Sequence, residues 1–506
     1  MINEPLTLNS QTHSIGLVGI IEDFNLKVPM PAVISKVVRG ARKTIVRDDG
    51  VITELYPYSY KPEGLIGNLK FAMRYEPIDL GVLNALFKTI DPALLESWVQ
   101  KEKTSIFVRR AWYLYELLTE TKLDVPDVPS TGYVDLLNTD LHIVASSLKR
   151  KLISRQRIND NLLGDKNYCP LIRRTETLKK AMSEELSEEA KTIASGVDST
   201  ILARAVHYLY TKETKSSFAI EGEAISANRT ERFVAALHRT AEFDTSDKQA
   251  FIKLQNSIVD PRYAAEDWRD IQNYVGETMS DFREHIHFIC PKPEEVEDLI
   301  TGWMKMVERL NGSDIDPVCA ATATAFGFVF IHPFEDGNGR IHRFLVHHTL
   351  AHKGFTPEGL LFPVSAVMLR DSKGYNNVLS SFSSSVQPMI DYALDNDGSL
   401  TVHNETADLY RYWDATRFAE YLYKCVAETI RIDLKEELGF LSLFDVAMKA
   451  VMEIVDMPNR RASLLIRLIL QNKGILSKGK RSQFSELSDD EIKTIESAIE
   501  SCRAEN

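Results

Sequence analysis

His332, Asp336, Arg340 and Arg343 fall in one short stretch, His332-Pro333-Phe334-Glu335-Asp336-Gly337-Asn338-Gly339-Arg340-Ile341-His342-Arg343, and their types and order suit chemistry on a phosphate. An imidazole that is neutral near pH 7 can accept a hydroxyl proton as the oxygen attacks phosphorus. The glycines on either side of Asn338 let consecutive backbone amides point at one spot. At a helix N-terminus such amides make an anion site. Arg340 and Arg343, at i and i+3 on the helix that follows, project from one face and add two guanidinium groups. Asp336 would repel the anion unless a cation lay between them, and a magnesium ion held by one carboxylate plus phosphate oxygens resolves that conflict. Base, metal carboxylate, amide nest and arginine clamp together read as a phosphoryl or nucleotidyl transfer site. A purely structural helix corner has no need of His, Asp, Asn and two Arg at once.

Two helices must position these groups. The apolar run Val318 to Ile331 is too short for a membrane span and predicts a buried helix that delivers His332. A second helix should begin inside the motif and run to His352. Upstream, Pro293-Glu294-Glu295 opens a helix with proline and acids in its first turn, and about Ser199 to Glu242 reads as helical. Nearer the N-terminus, Gly64 to Tyr75, Ile78 to Leu118 and Tyr133 to Arg157 carry helical spacing, with a proline-marked break at Asp124 to Ser130. Thr175 to Gly196 reads as a solvated helix plus linker. Beyond Tyr410 the chain again reads helical, with a capping box at Ser488-Asp489-Asp490-Glu491.

Bulk properties narrow the function. With 44% hydrophobic and 26% charged residues among 506, the chain can build a sizeable core. The net charge of −12 argues against nucleic acid as the main partner. Cys169, Cys290, Cys319, Cys425 and Cys502 are scattered and include no Cys-x-x-Cys pair, so neither a disulfide framework nor a thiolate metal site is expected. A cytoplasmic location without membrane contact follows, and Met1 to Ser10 shows no secretory leader.

The central segment resembles the Fic signature, His-Pro-Phe-x-(Asp/Glu)-Gly-Asn-Gly-Arg-x-x-Arg, at every defined position. The resemblance implies a protein adenylyltransferase, which moves AMP from magnesium-ATP to a Ser, Thr or Tyr hydroxyl of a protein and releases pyrophosphate. It makes His332 the base and Asp336 the magnesium ligand. Gly337, Asn338, Gly339, Arg340 and Arg343 become nucleotide-binding residues. Ser217-Phe218-Ala219-Ile220-Glu221-Gly222 is similar to the family's inhibitory pattern, (Ser/Thr)-x-x-x-Glu-(Gly/Asn), placed as in members with an N-terminal inhibitory helix. By that resemblance Glu221 pairs with Arg343 where the γ-phosphate would lie, Ser217 holds the helix, and Gly222 ends it. Trp268 to Gly276 with Phe288 to Pro291 looks like the family's flap, a β-hairpin that aligns the target, with Val275 and Ile289 gripping the modified side chain. Tyr375 and Asn376 fall where relatives carry an aromatic pair near the adenine.

The expected fold is mainly α: a helical Fic domain over 199–397, a linker helix over 175–198, an N-terminal module for partner or target contact over 1–174, and a C-terminal helical domain over 398–506. An AMP-removing or bifunctional enzyme, and a nucleotide-sensing interaction protein kept shut by Glu221, stand as alternatives. Self-modification and pairing of two copies are consistent with the resemblance. His342, His347, His348 and His352 suggest a metal cluster, but no acid or Cys joins them, so they read as structural or surface residues. His285 and His287 read as surface residues of the flap. The basic stretch Lys473 to Arg481 reads as a solvated loop rather than a recognition helix.

Overall fold

A helix that is apolar all round must be buried all round, and Pro317–Ile331 is: every residue from Val318 to Phe328 is buried. Pro317 opens it, and the Asp316 carboxylate accepts from the amides of Val318 (3.0 Å) and Cys319 (2.9 Å). Asn338–His352 packs against this core helix, as do Pro293–Asn311 and Thr416–Glu428. The helix Ser199–Ile220 lies over the assembly, touching Asn338–His352, Val364–Arg370 and Lys435–Ile454.

The computed structural model describes residues 12–47, 50–146, 151–223, 226–280, 284–395 and 397–505. Helices account for 58% of it and the sheets are small, so the fold is mainly α. Near the N-terminus a four-stranded sheet runs in the order His13–Ile15, Val33–Val38, Ile52–Pro57, Lys43–Val46, its central pair parallel. The segment Met1 to Ser10 lies outside the described residues. One continuous cluster of buried side chains reaches from Leu17 to Leu438. A second, from Ala447 to Ile499, sits within the last helices. Among the described residues no helix is long and apolar enough to cross a membrane.

The helices at Gly64–Tyr75 and Asn338–His352 have the bounds their spacing predicts. Ser488 and Glu491 form the expected reciprocal cap, at 2.7 and 3.2 Å. The helix expected over Tyr133 to Arg157 does not form. The region instead holds the short strands Val134–Asp135, His142–Ile143 and Lys151–Ile153. The Asn161 side chain accepts from the Leu137 amide (2.8 Å) and donates to its carbonyl (3.0 Å), a tertiary pairing that replaces the helical ladder. The segment Thr175 to Gly196 is more than a solvated linker. It folds as Glu176–Met182 and Leu186–Ser195, and buries Leu178, Leu186 and Ala190 beneath a charged outer face.

Candidate active site

The loop leaving the core helix is fixed before any ligand arrives. His332 takes the left-handed conformation (φ 53°), unusual for a residue with a side chain, while its amide still bonds the Phe328 carbonyl at 3.0 Å. Phe334 is fully buried beside Trp268, ring centroids 4.9 Å apart. The Asn338 amide group accepts from Phe334 N–H (3.0 Å) and donates to Phe334 C=O (2.8 Å). That side chain is therefore committed to the loop, and only its backbone is free to meet a phosphate. Gly337, at φ 94°, opens the helix Asn338–His352.

His332 Nδ1 lies 3.1 Å from the Val329 carbonyl. A carbonyl oxygen only accepts, so Nδ1 carries the proton and Nε2 keeps its lone pair. Burial lowers the imidazole to about 4, helped by the charge of Arg269, so the ring is neutral at pH 7. Arg269 had no role in the sequence reading. It is buried and donates to the carbonyls of His332 (2.7 Å), Ile271 (2.8 Å) and Pro291 (2.6 Å), while its amide donates to Pro333 C=O (2.8 Å). One cation thus ties the base of the flap to the base-bearing loop.

The space beside Gly339 holds an anion from the protein itself. Gly339 has no side chain, and the Glu221 carboxylate occupies the space a Cβ would fill. The Glu221 Oε1 accepts from Arg343 Nη2 at 2.6 Å. Arg343 also donates to the Ser217 hydroxyl and carbonyl, both at 2.8 Å. Burial pushes the Glu221 carboxyl up, but Arg343 and Arg340 outweigh it and hold the group below its ordinary range. Arg340 Nη2 donates to Asp336 Oδ1 at 2.6 Å, and that oxygen also accepts from the Gly337 amide at 2.6 Å. Among the described residues no group of three or more His, Cys, Asp or Glu could hold a metal. A cation beside Asp336 would therefore draw its remaining ligands from a bound phosphate, as magnesium sites on nucleotides do.

A pocket of about 300 Å³ opens beside His332, lined by Val275, Phe288, Phe330, Asn376 and Leu379. A larger polar cleft of about 750 Å³ lies elsewhere, around Asp160, which is paired with Arg309 and Lys151. The hairpin Tyr274–Thr278 with Glu284–Ile289 overhangs the smaller pocket, with a register shift between Val275 and Gly276. Val275 is exposed there, whereas Ile289 is buried and its carbonyl accepts from the Tyr410 hydroxyl (2.6 Å), so Ile289 faces the core and not a target. His287 lines the pocket edge. Asn376 reaches the pocket, whereas Tyr375 is buried and does not line it. His342, His347 and His348 are buried without a metal cluster; His347 faces Glu213 at 2.8 Å and His348 the Thr240 carbonyl at 2.7 Å. The basic stretch forms the short helix Lys478–Arg481, with Arg481 paired to Asp489 at 2.8 Å.

A neutral imidazole, a glycine-opened helix start and two buried arginines thus meet where the core helix hands over to Asn338–His352. The Fic/DOC family matches residues 231–350, and the chain carries a Fic/DOC domain there. A protein adenylyltransferase Fic of Nematostella vectensis is 32% identical over 69 residues, 14% of this chain and 16% of that protein. The match thus spans about a sixth of that relative's length. A Fic family protein from Desulfovibrio desulfuricans G20 aligns over 55% of this chain and 80% of its own, at 17% identity and a TM-score of 0.36. A Fic domain containing signaling protein from Bacteroides thetaiotaomicron VPI-5482 aligns over 52% and 97%, at 18% identity and a TM-score of 0.36.

Proton NMR should find His332 titrating near pH 4, and Arg269→Gln should move the midpoint up. A wild-type midpoint at the ordinary value of about 6.5 would contradict the burial argument. Asn338→Ala leaves two buried backbone groups of Phe334 unpaired and should lower unfolding free energy by roughly 1–3 kcal/mol in urea titrations. No change in the midpoint would show the loop is held some other way.

Proposed function

We propose that the site transfers AMP from magnesium-ATP to a Ser, Thr or Tyr hydroxyl of a protein, and that Glu221 restrains it. One observation carries the reading: a carboxylate from Ser199–Ile220 and its flanking turn fills the Gly339 cradle and is bound by Arg343. A cradle that already accepts one anion on those donors is suited to a phosphate on the same donors.

In the proposed reaction, His332 Nε2 takes the proton of the target hydroxyl as its oxygen bonds to the α-phosphorus. The bond from that phosphorus to the bridging oxygen breaks, and pyrophosphate leaves. Arg340 and Arg343 take the charge of the phosphates once their internal partners move aside. Magnesium, held by Asp336 and phosphate oxygens, would neutralise charge on the nucleotide. The pocket beside His332 suits a flat base, with Asn376 as its hydrogen-bonding group.

Magnitudes favour restraint over abolition. Losing one partner of a buried ion pair costs roughly 3–5 kcal/mol. The Glu221 side chain is 34% exposed, which puts this pair at the low end. At 1.4 kcal/mol per factor of ten, displacing it would weaken nucleotide binding about a hundredfold, well within what a triphosphate can supply.

A second reading keeps the same residues. The Glu221 charge acts on His332, so the carboxylate could orient a water and turn the site toward removal of AMP. A nucleotide-sensing protein held shut by Glu221 is a third.

Labelled ATP with magnesium should mark protein strongly with Glu221→Gly, at least about tenfold above wild type, and not at all with Glu221→Gly/His332→Ala. Silence from every form sinks the transfer reading, and release of AMP from a pre-modified target would then favour removal. The kcat/KM of Glu221→Gly should stay level from pH 7 downward and fall only as the imidazole protonates, at or below the pH of about 4 where the wild-type ring titrates, because losing the Glu221 charge removes one of the groups that raise it. A fall centred near pH 6.5 would assign the base elsewhere.

A further inference from the structure

On a continuous helix, residues two apart lie on nearly opposite sides. Glu221 and Glu223 do not, because the helix stops at Ile220. Gly222 takes φ 71°, and the Glu223 amide bonds back to the Phe218 carbonyl at 3.2 Å. The reversal brings Glu223 to the same arginine pair that Glu221 faces. Its carboxylate lies 3.1 Å from Arg340 Nη1 and 3.0 Å from Arg340 Nη2. It also accepts from Arg229 Nη2 at 2.8 Å. The Phe218 ring is flanked by the same two cations, with Arg229 5.0 Å and Arg340 5.1 Å from its centroid.

The turn that ends the overlying helix thus brings an acid to each arginine of the motif: Glu221 to Arg343, and Glu223 to Arg340, which also holds Asp336 at 2.6 Å. We propose that Glu223 is a second inhibitory acid, which neutralises Arg340 and, through Arg229, fastens the end of the overlying helix to the helix Ala227–His238, so that an incoming nucleotide must displace two carboxylates. The proposal rests on the reading of the site as a nucleotide cradle. The two acids are alike in setting: each meets a buried arginine (1% exposed) and is itself about a third exposed, Glu221 34% and Glu223 32%. Arg229 braces Glu223 from the far side, at 16% exposure. An exposed pair of this type would contribute little; one whose cation is buried contributes more, because that cation has no water to turn to. Removing Glu221 alone leaves Arg340 still held.

The test uses the full chain as wild type, Glu221→Gly, Glu223→Gln, Glu221→Gly/Glu223→Gln and Arg229→Gln, each checked for folding by thermal melting. Affinity for a non-hydrolysable ATP analogue with magnesium is measured by calorimetry, and labelling from ATP separately. Glu223→Gln keeps the side chain's shape and removes its charge. It should tighten analogue binding by about three- to tenfold, both on wild type and on Glu221→Gly. Arg229→Gln, which loosens the brace and also gives up the bonds to the Ile258 carbonyl, should shift binding the same way by less, and it tests the idea if Glu223→Gln fails to fold. Equal affinities with and without the Glu223 charge in both backgrounds overturn the second acid. Tightened binding with no label in any form leaves the second acid standing and removes the transfer reading. An analogue that binds none of the forms removes both.

Discussion

A guanidinium buried this deeply cannot be left without an anion. Arg343 is nearly inaccessible to water, and an unpaired ion in such a setting is costly enough to reorganise whatever surrounds it. Everything near the cradle follows from that demand. Ser217 satisfies two of its hydrogen bonds and Glu221 supplies the charge. A helix remote in sequence is thereby drawn onto the motif. A phosphate could meet the same demand with the same donors, so under the proposed function the resting arrangement and the ligand compete.

The scaffold makes that competition local. The core helix, apolar on every side, offers no freedom to its last residue, and the left-handed turn at His332 redirects the chain at once into the Phe334 anchor. Asn338 closes the loop on itself and Arg269 ties it to the flap. The imidazole, the amides and the hairpin are thus held by bonds that do not involve the ligand. The parts able to move are the end of Ser199–Ile220 and the acids that follow it. Rigidity on one side and an exchangeable side chain on the other is the arrangement expected of a site whose ligand replaces an internal mimic.

Much of this was legible in the residues themselves. The two helices around the motif, their junction at Gly337 and the convergence of His332, Arg340 and Arg343 follow from pattern and spacing. The pairing of Ser217 and Glu221 with Arg343 came from resemblance, and the distances agree with it. What escaped were groups defined by tertiary contact. Arg269 lies inside the stretch that resembles the flap, but its role emerges only where the His332, Pro333 and Pro291 carbonyls arrive beside it. Glu223 needed the backbone reversal at Gly222 to become visible. Tyr375 was assigned to the base because of its place in the order of residues, yet it is buried and does not line the pocket. The missing helix around Leu137 has the same cause: Asn161, distant along the chain, supplied the hydrogen bonds a helix would have used.

The space over Gly339 has a practical corollary for anyone screening this protein by melting temperature. Ligands usually raise the melting point because they add contacts to a site that was merely hydrated, and the gain tracks concentration over affinity. On the proposed reading, an arriving nucleotide must first expel a carboxylate that already braces two elements of the fold. Part of its own binding energy is spent replacing what it removes. That cost appears as a raised apparent Kd, so at a given concentration occupancy and thermal shift fall together, and a compound that stabilised the protein strongly could be one that leaves the carboxylate where it is and seats itself alongside.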